Sequence, residues 1–198
     1  MTKRNTFLFL ILFLTAAVVP ARAEISAKQA VETFMSEIRA GQTQKANAYL
    51  DLETLSKKAL TSHWDSSSAE DRKAFLDLMS RLIEVVAYPK SRRLTNGVEV
   101  IYEEPQADDA GMQVQSVIKQ QEQGLDIQVL YHLHSASDGS HWKIDDVILD
   151  DVSVTEDLQY QFDKIITDSG FAGLLKKMQE RLDKAKNEPP APAAAPAA

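Results

Sequence analysis

Three histidines and a run of aspartates are the residues whose types and spacing could do chemistry. His132 and His134 lie two apart, and His141 follows just across an Asp138-Gly139 turn signal, so three imidazoles could approach one another as nitrogen ligands of a metal. Alternation along a strand, however, puts His132 and His134 on its polar face. A catalytic zinc site wants a buried setting and outer partners that orient each imidazole, so solvated side chains and no metal are the expectation. Asp145-Asp146 and Asp150-Asp151 are paired carboxylates, the raw material for general acid–base work or a calcium site, but the glycine and spacing of an EF-hand loop are missing. Period-2 counting sets Asp146 on the side of Trp142, Ile144 and Ile148, facing the apolar interior. There it must be hydrogen-bonded, paired or placed at a polar cavity mouth. Its catalytic version would be a base in a small α+β cone. The chain has no cysteine, nucleophile elbow, phosphate-cradling glycine loop or dinucleotide fingerprint, so neither an enzyme nor a cofactor is expected.

The elements that must position these residues follow from periodicity. Ser26 is an N-cap candidate, and Ala30, Val31, Phe34, Met35 and Ile38 recur at helical spacing until Gly41. A second helical stretch covers 43–60, broken near Asp51, with Leu52, Leu55 and Leu60 on one side. Ser68 caps a third helix that presents Phe75, Met79, Leu82, Ile83 and Val86 and is expected to stop before Pro89. From Arg92 the period falls to 2, with Val98, Val100 and Tyr102 around an Asn96-Gly97 turn. Strands are expected over 111–122 and 125–134, joined near Gly124, and a further one running from Trp142 to Leu149. Helical spacing returns with Leu158, Phe162, Ile165 and Ile166, is punctuated by Gly170 and resumes to Leu182. Helices, an antiparallel meander and helices again predict an α+β fold: a curved antiparallel sheet of about four strands covered on one face by helices.

At the N-terminus, Lys3 and Arg4 precede an apolar run from Phe7 to Val19 and an Ala21-Arg22-Ala23 site, the layout of a cleavable signal peptide over 1–23. The run is too short to span a bilayer. One domain over 24–186 is expected, and the Pro/Ala-rich segment 187–198 is expected to be a disordered tail. Removing Lys3, Arg4 and Arg22 leaves 19 basic residues against 29 acidic, a balance of −10 that argues against nucleic acid and anionic membrane surfaces as partners.

Several segments, taken in order, resemble the MlaC-like, toluene-tolerance family of periplasmic phospholipid-binding proteins. Asp51-Leu52-Glu53 leads to Ala59-Leu60-Thr61-Ser62-His63-Trp64, similar to a family helix ending in Leu-Gly-Arg-aromatic-Trp/Tyr, followed by a helix start at Ser68-Ala69-Glu70-Asp71-Arg72. Val129-Leu130-Tyr131-His132-Leu133 is similar to a Val-x-Tyr-Arg-Leu strand. The most specific segment runs from Trp142 to Ser153 and resembles Trp-Lys-Val-x-Asp-Val-x-x-x-Gly-Val-Ser, with Gln161-Phe162 and Gly170-Phe171-Ala172-Gly173-Leu174 at the expected distances. Asp151 stands where that pattern has Gly, Thr61-Ser62 where it has Gly-Arg, and Gln159 where Arg is common.

The resemblance implies a cone-shaped lipid-binding domain in the periplasm. It would be a non-enzymatic, monomeric carrier that shuttles phospholipid between an outer-membrane lipoprotein complex and an inner-membrane MCE/ABC transporter complex. A hopanoid or another polycyclic lipid is the alternative cargo. Acyl chains would slot between the dry face of the sheet and the helices. The face assignments then give Phe75, Met79, Leu82, Val100, Tyr102, Val129, Tyr131, Trp142, Ile144 and Phe162 as lining residues, with Asp146 near the opening. Asp145, Asp150 and Asp151 are the expected docking acids.

Overall fold

The computed structural model describes residues 25–119, 126–136, 139 and 141–187. The leader, the turn near Gly124, Asp138 and the Pro/Ala-rich tail lie outside the described residues. Ser26 opens α1 (Ala27–Arg39) with a reciprocal capping box: its hydroxyl accepts from the Gln29 N–H, and the Gln29 side chain accepts from the Ser26 N–H. The apolar stripe of α1 is buried at Ala30, Val31, Phe34, Met35 and Ile38. The next helical stretch breaks in two, α2 (Thr43–Asn47) and α3 (Leu52–Leu60). Between them the backbone pairs with Ile144: Asp51 N–H donates to its carbonyl (2.8 Å) and Ile144 N–H donates to the Tyr49 carbonyl (2.7 Å). Asp51 caps α3 by accepting from Thr54 N–H. The short α4 (Ser62–Ser66) seats Trp64, with the Lys57 ammonium and Arg72 guanidinium over its ring.

Ser68 caps α5 (Ala69–Leu82) through the Asp71 N–H. The sequence predicts that this helix stops before Pro89, and it does not. It loosens into a π-helical turn, Ile83–Ala87, and continues as α6 (Tyr88–Thr95). Pro89 falls in the first turn of α6, directly after the π-helical turn. Arg92 is accordingly helical, and Asn96-Gly97 links helix to strand, with Gly97 at φ 74°.

The sheet has six strands rather than about four, the additions being short: β1 (Val100–Tyr102), β2 (Gln106–Asp108), β3 (Gly111–Ile118), β4 (Ile127–Ser135), β5 (Trp142–Leu149) and β6 (Val152–Ser153). All pairings are antiparallel in the order β1-β3-β4-β5-β6, with β2 also on β3. Asp150 and Asp151 both have positive φ, as a two-residue turn between β5 and β6 demands. The chain ends in α7 (Val154–Asn187), which kinks at Gly170 (φ 69°, ψ 175°).

Two apolar clusters result. One joins α1 and Tyr88 to the inner face of β3, β4 and β5; the other joins α3, α4, α5 and α7 around Phe75, Phe162 and Leu174. Phe75 is fully buried and meets Phe162 edge-on at 5.5 Å.

Candidate functional site

A cavity of about 200 Å³ lies where the two clusters meet. Its floor is the inner face of the sheet: Ile118, Val129, Tyr131, Val147 and Leu149. Phe34, Met35 and Ile38 of α1 form one wall. Leu50, Leu55 of α3 and Met79 of α5 form another, and Val154 and Leu158 close the end at α7. The π-helical turn and α6 contribute Ile83, Ala87, Tyr88, Ser91, Leu94 and Thr95. Ala87 and Leu94 are exposed to solvent as well, which puts the opening on this side.

The few polar groups of the wall are satisfied locally. Thr95 Oγ1 donates to the Ser91 carbonyl (2.9 Å), and Tyr88 OH donates to Asn47 Oδ1 (2.6 Å), whose amide nitrogen donates to Glu84 (2.5 Å). Burial pushes the Tyr88 and Tyr131 phenols up from the ordinary tyrosine value, so both stay neutral. The cavity is therefore uncharged, with no nucleophile paired to a base on its wall. It suits hydrocarbon, which binds by leaving water rather than by directional bonds.

Of the residues expected on the lining, Met79, Val129 and Tyr131 are there. Phe75, Leu82 and Phe162 pack in the helical cluster instead, and Ile144, Trp142, Val100 and Tyr102 pack around the sheet cluster away from the cavity. Asp146 is also displaced. The pairing register shifts between His132 and Leu133, so that His132 faces Asp146 and Leu133 faces Ile144. Asp145 is left over as a bulge. One extra residue reverses the alternation beyond it, turning Val147 and Leu149 inward in place of Asp146 and Ile148. Asp146 instead tethers the start of α7: its carboxylate accepts from Thr155 N–H (3.2 Å), from Ser153 Oγ (2.7 Å) and from Val147 N–H. Asp145, expected among exposed docking acids, is buried against His132 and His134. Both of those rings are engaged by carboxylates rather than solvated or gathered with His141. Phe34, Met35 and Ile38 carried a legible signal, the buried stripe of the first helix. Nothing local marked that stripe as facing a void.

The family model for the MlaC protein matches residues 21–180, most of the chain. The chain belongs to the MlaC family. The MlaC fold recurs in a solved structure described as the phospholipid-binding protein from Ralstonia solanacearum in complex with a phospholipid. It superposes with a TM-score of 0.67 at 20% identity, covering 83% of this chain and 100% of the other. No curated protein matches the chain by sequence. Among the described residues no helix of this MlaC chain is long and apolar enough to cross a membrane, and no group of side chains is placed to hold a metal ion.

Proposed function

We propose that the protein is a non-enzymatic periplasmic carrier that takes the acyl chains of a phospholipid into this cavity and moves lipid between outer-membrane and inner-membrane complexes. The observation that carries the reading is the uncharged apolar cavity between sheet and helices, in a family with a phospholipid-binding structural relative. A lipid crossing an aqueous compartment exposes its tails at about 0.8 kcal/mol per methylene, so a cavity that hides them offsets most of the cost of leaving a bilayer. No covalent step is needed.

The cavity is smaller than the roughly 300–1,000 Å³ of pockets that enclose a drug-sized ligand, so a two-chain lipid requires the walls to part. The π-helical turn is the wall best suited to yield: none of its five residues is fully buried, and π-bulges within α-helices are frequent at functional sites. The decisive experiment is organic extraction of protein purified without detergent, followed by mass spectrometry. Near-stoichiometric diacyl lipid is expected. Folded protein that yields no lipid defeats the reading, and a polycyclic lipid in its place would change the cargo but not the carrier.

A further inference from the structure

On the side of β4 away from Val129, Tyr131 and Leu133, ionisable groups from four elements form one unbroken chain. His132 Nδ1 lies 2.7 Å from Asp145 Oδ1, and His134 Nδ1 lies 3.1 Å from Asp145 Oδ2. At the outer ends His132 Nε2 is 3.0 Å from Asp108 of β2, and His134 Nε2 is 3.0 Å from Asp51, the cap of α3. Lys58 of α3 adds a 3.0 Å contact to Asp145. The other groups on these two rings' neighbours are committed elsewhere: Lys143, paired with His134, donates to the Ala48 carbonyl, and Asp146, paired with His132, holds α7. Gln113, across β3 from His132, donates to Asp108.

Each of the four ring-to-carboxylate contacts needs one proton. The carboxylates do not supply it. Asp108 accepts from the Ala110 and Gly111 N–H groups, and Asp51, against the opposing effect of burial, from Thr54 N–H; these bonds favour the ionised forms and hold both below the ordinary carboxylate value. Asp145 is buried, which by itself favours protonation, but its hydrogen bonds from His132 and Lys58 outweigh this and hold it below the ordinary carboxylate value. A neutral imidazole carries a single N–H, so two neutral rings fill two contacts and leave two with lone pair facing lone pair. Two imidazolium rings fill all four, and with Lys58 they balance the three carboxylates to zero.

The geometry points to a pH-sensitive clasp: the chain Asp108–His132–Asp145–His134–Asp51 is fully bonded only with both rings doubly protonated, fastening the start of α3 to β4 in acid and loosening it as the rings lose protons. Histidine is in general the side chain whose charge changes between about pH 5 and 8. Leu50 and Leu55, on either side of Asp51, both line the cavity, so the state of the clasp sets how readily that wall moves. The consequence for cargo rests on the carrier reading above; the clasp itself does not.

The test is amide hydrogen exchange of 52–60 in the whole protein at pH 5.5 and 8.0, corrected for the intrinsic rate, with release of preloaded phospholipid to phosphatidylcholine vesicles followed in parallel. Wild-type protein should show about tenfold less protection of α3 at pH 8.0, the equivalent of ~1.4 kcal/mol, and several-fold faster release. Asp51→Asn keeps the helix cap but removes the charge opposite His134, and His134→Gln removes the ring; both should lose the pH response. Equal protection of wild-type α3 at the two pH values, or an unchanged response in both variants, overturns the clasp. PH-dependent protection with pH-independent release keeps the clasp and overturns its coupling to the cavity. If no lipid loads at either pH, the carrier reading fails and the exchange comparison still decides the clasp.

Discussion

Thr61 and Asp151 stand where the family pattern has glycine, and both have positive φ, 47° and 66°. At Thr61, with ψ −124°, a β-branched side chain sits in a region that glycine enters freely and other residues enter at a cost of about 1–3 kcal/mol. Thr61→Gly should therefore raise stability by about 1 kcal/mol, a gain of roughly 2–4 °C in melting temperature for a chain of this size. Asp151→Gly should gain less, because aspartate tolerates the left-handed region. Calorimetry of the two single variants checks the order. Asp146 is argued at the same scale: Asp146→Ala removes the acceptor for Thr155 N–H and Ser153 Oγ, costing about 1–2 kcal/mol. A fall of roughly 2–8 °C in melting temperature with lipid content unchanged is expected. Lost lipid in a protein that remains folded would return Asp146 to the cavity mouth.

Gly170 decides the shape of α7. Its φ of 69° and ψ of 175° are accessible to glycine almost alone, and beyond it Leu174, Met178 and Leu182 are buried against the cluster around Phe75. An added Cβ meets nothing, so the cost of Gly170→Ala is conformational rather than steric. It should destabilise by about 1–3 kcal/mol, read as a lower urea midpoint with little change in slope. At the opening, Ala87 is exposed on the π-helical turn and still lines the cavity. Ala87→Trp should obstruct entry and cut copurifying lipid about tenfold, a loss of ~1.4 kcal/mol, while melting stays near wild type because the site is at the surface. Undiminished lipid would place the entrance elsewhere.

For the molecule as a whole, the outer face of the sheet sets the response to acid. Asp108 is held below the ordinary carboxylate value chiefly by the Ala110 N–H, and Asp51 by Thr54 and His134 against the opposing effect of burial; Asp145 is held low by His132 and Lys58. A carboxyl group with a depressed folded value contributes stability that is complete above its unfolded value, near 3.8, and is lost as pH falls through the folded one. Melting temperature should thus drop steeply below about pH 4. Asp145→Asn, with its buried charge gone, should flatten that limb in a thermal scan from pH 3 to 6.

Caps and helical stripes were legible in the sequence because they depend on neighbours three and four residues away. Ser26 with Gln29, Ser68 with Asp71 and the face formed by Phe34 and Ile38 are local facts, as is the switch to alternation along β4. The ordered motifs also marked the family, because a series of short matches is carried by the chain itself. The course of the chain past Pro89 was not legible, because a π-helical turn ahead of the proline lets the helix continue through it. What only the tertiary structure decided was which buried face meets a void. Ile144 and Val129 both point inward, yet one fills a core and the other lines the cavity, a difference set by elements distant in sequence. The bulge at Asp145 likewise depends on how β5 registers against β4; that single residue exchanged the surroundings of Asp145 and Asp146, and no count along one strand reveals a slip against its partner.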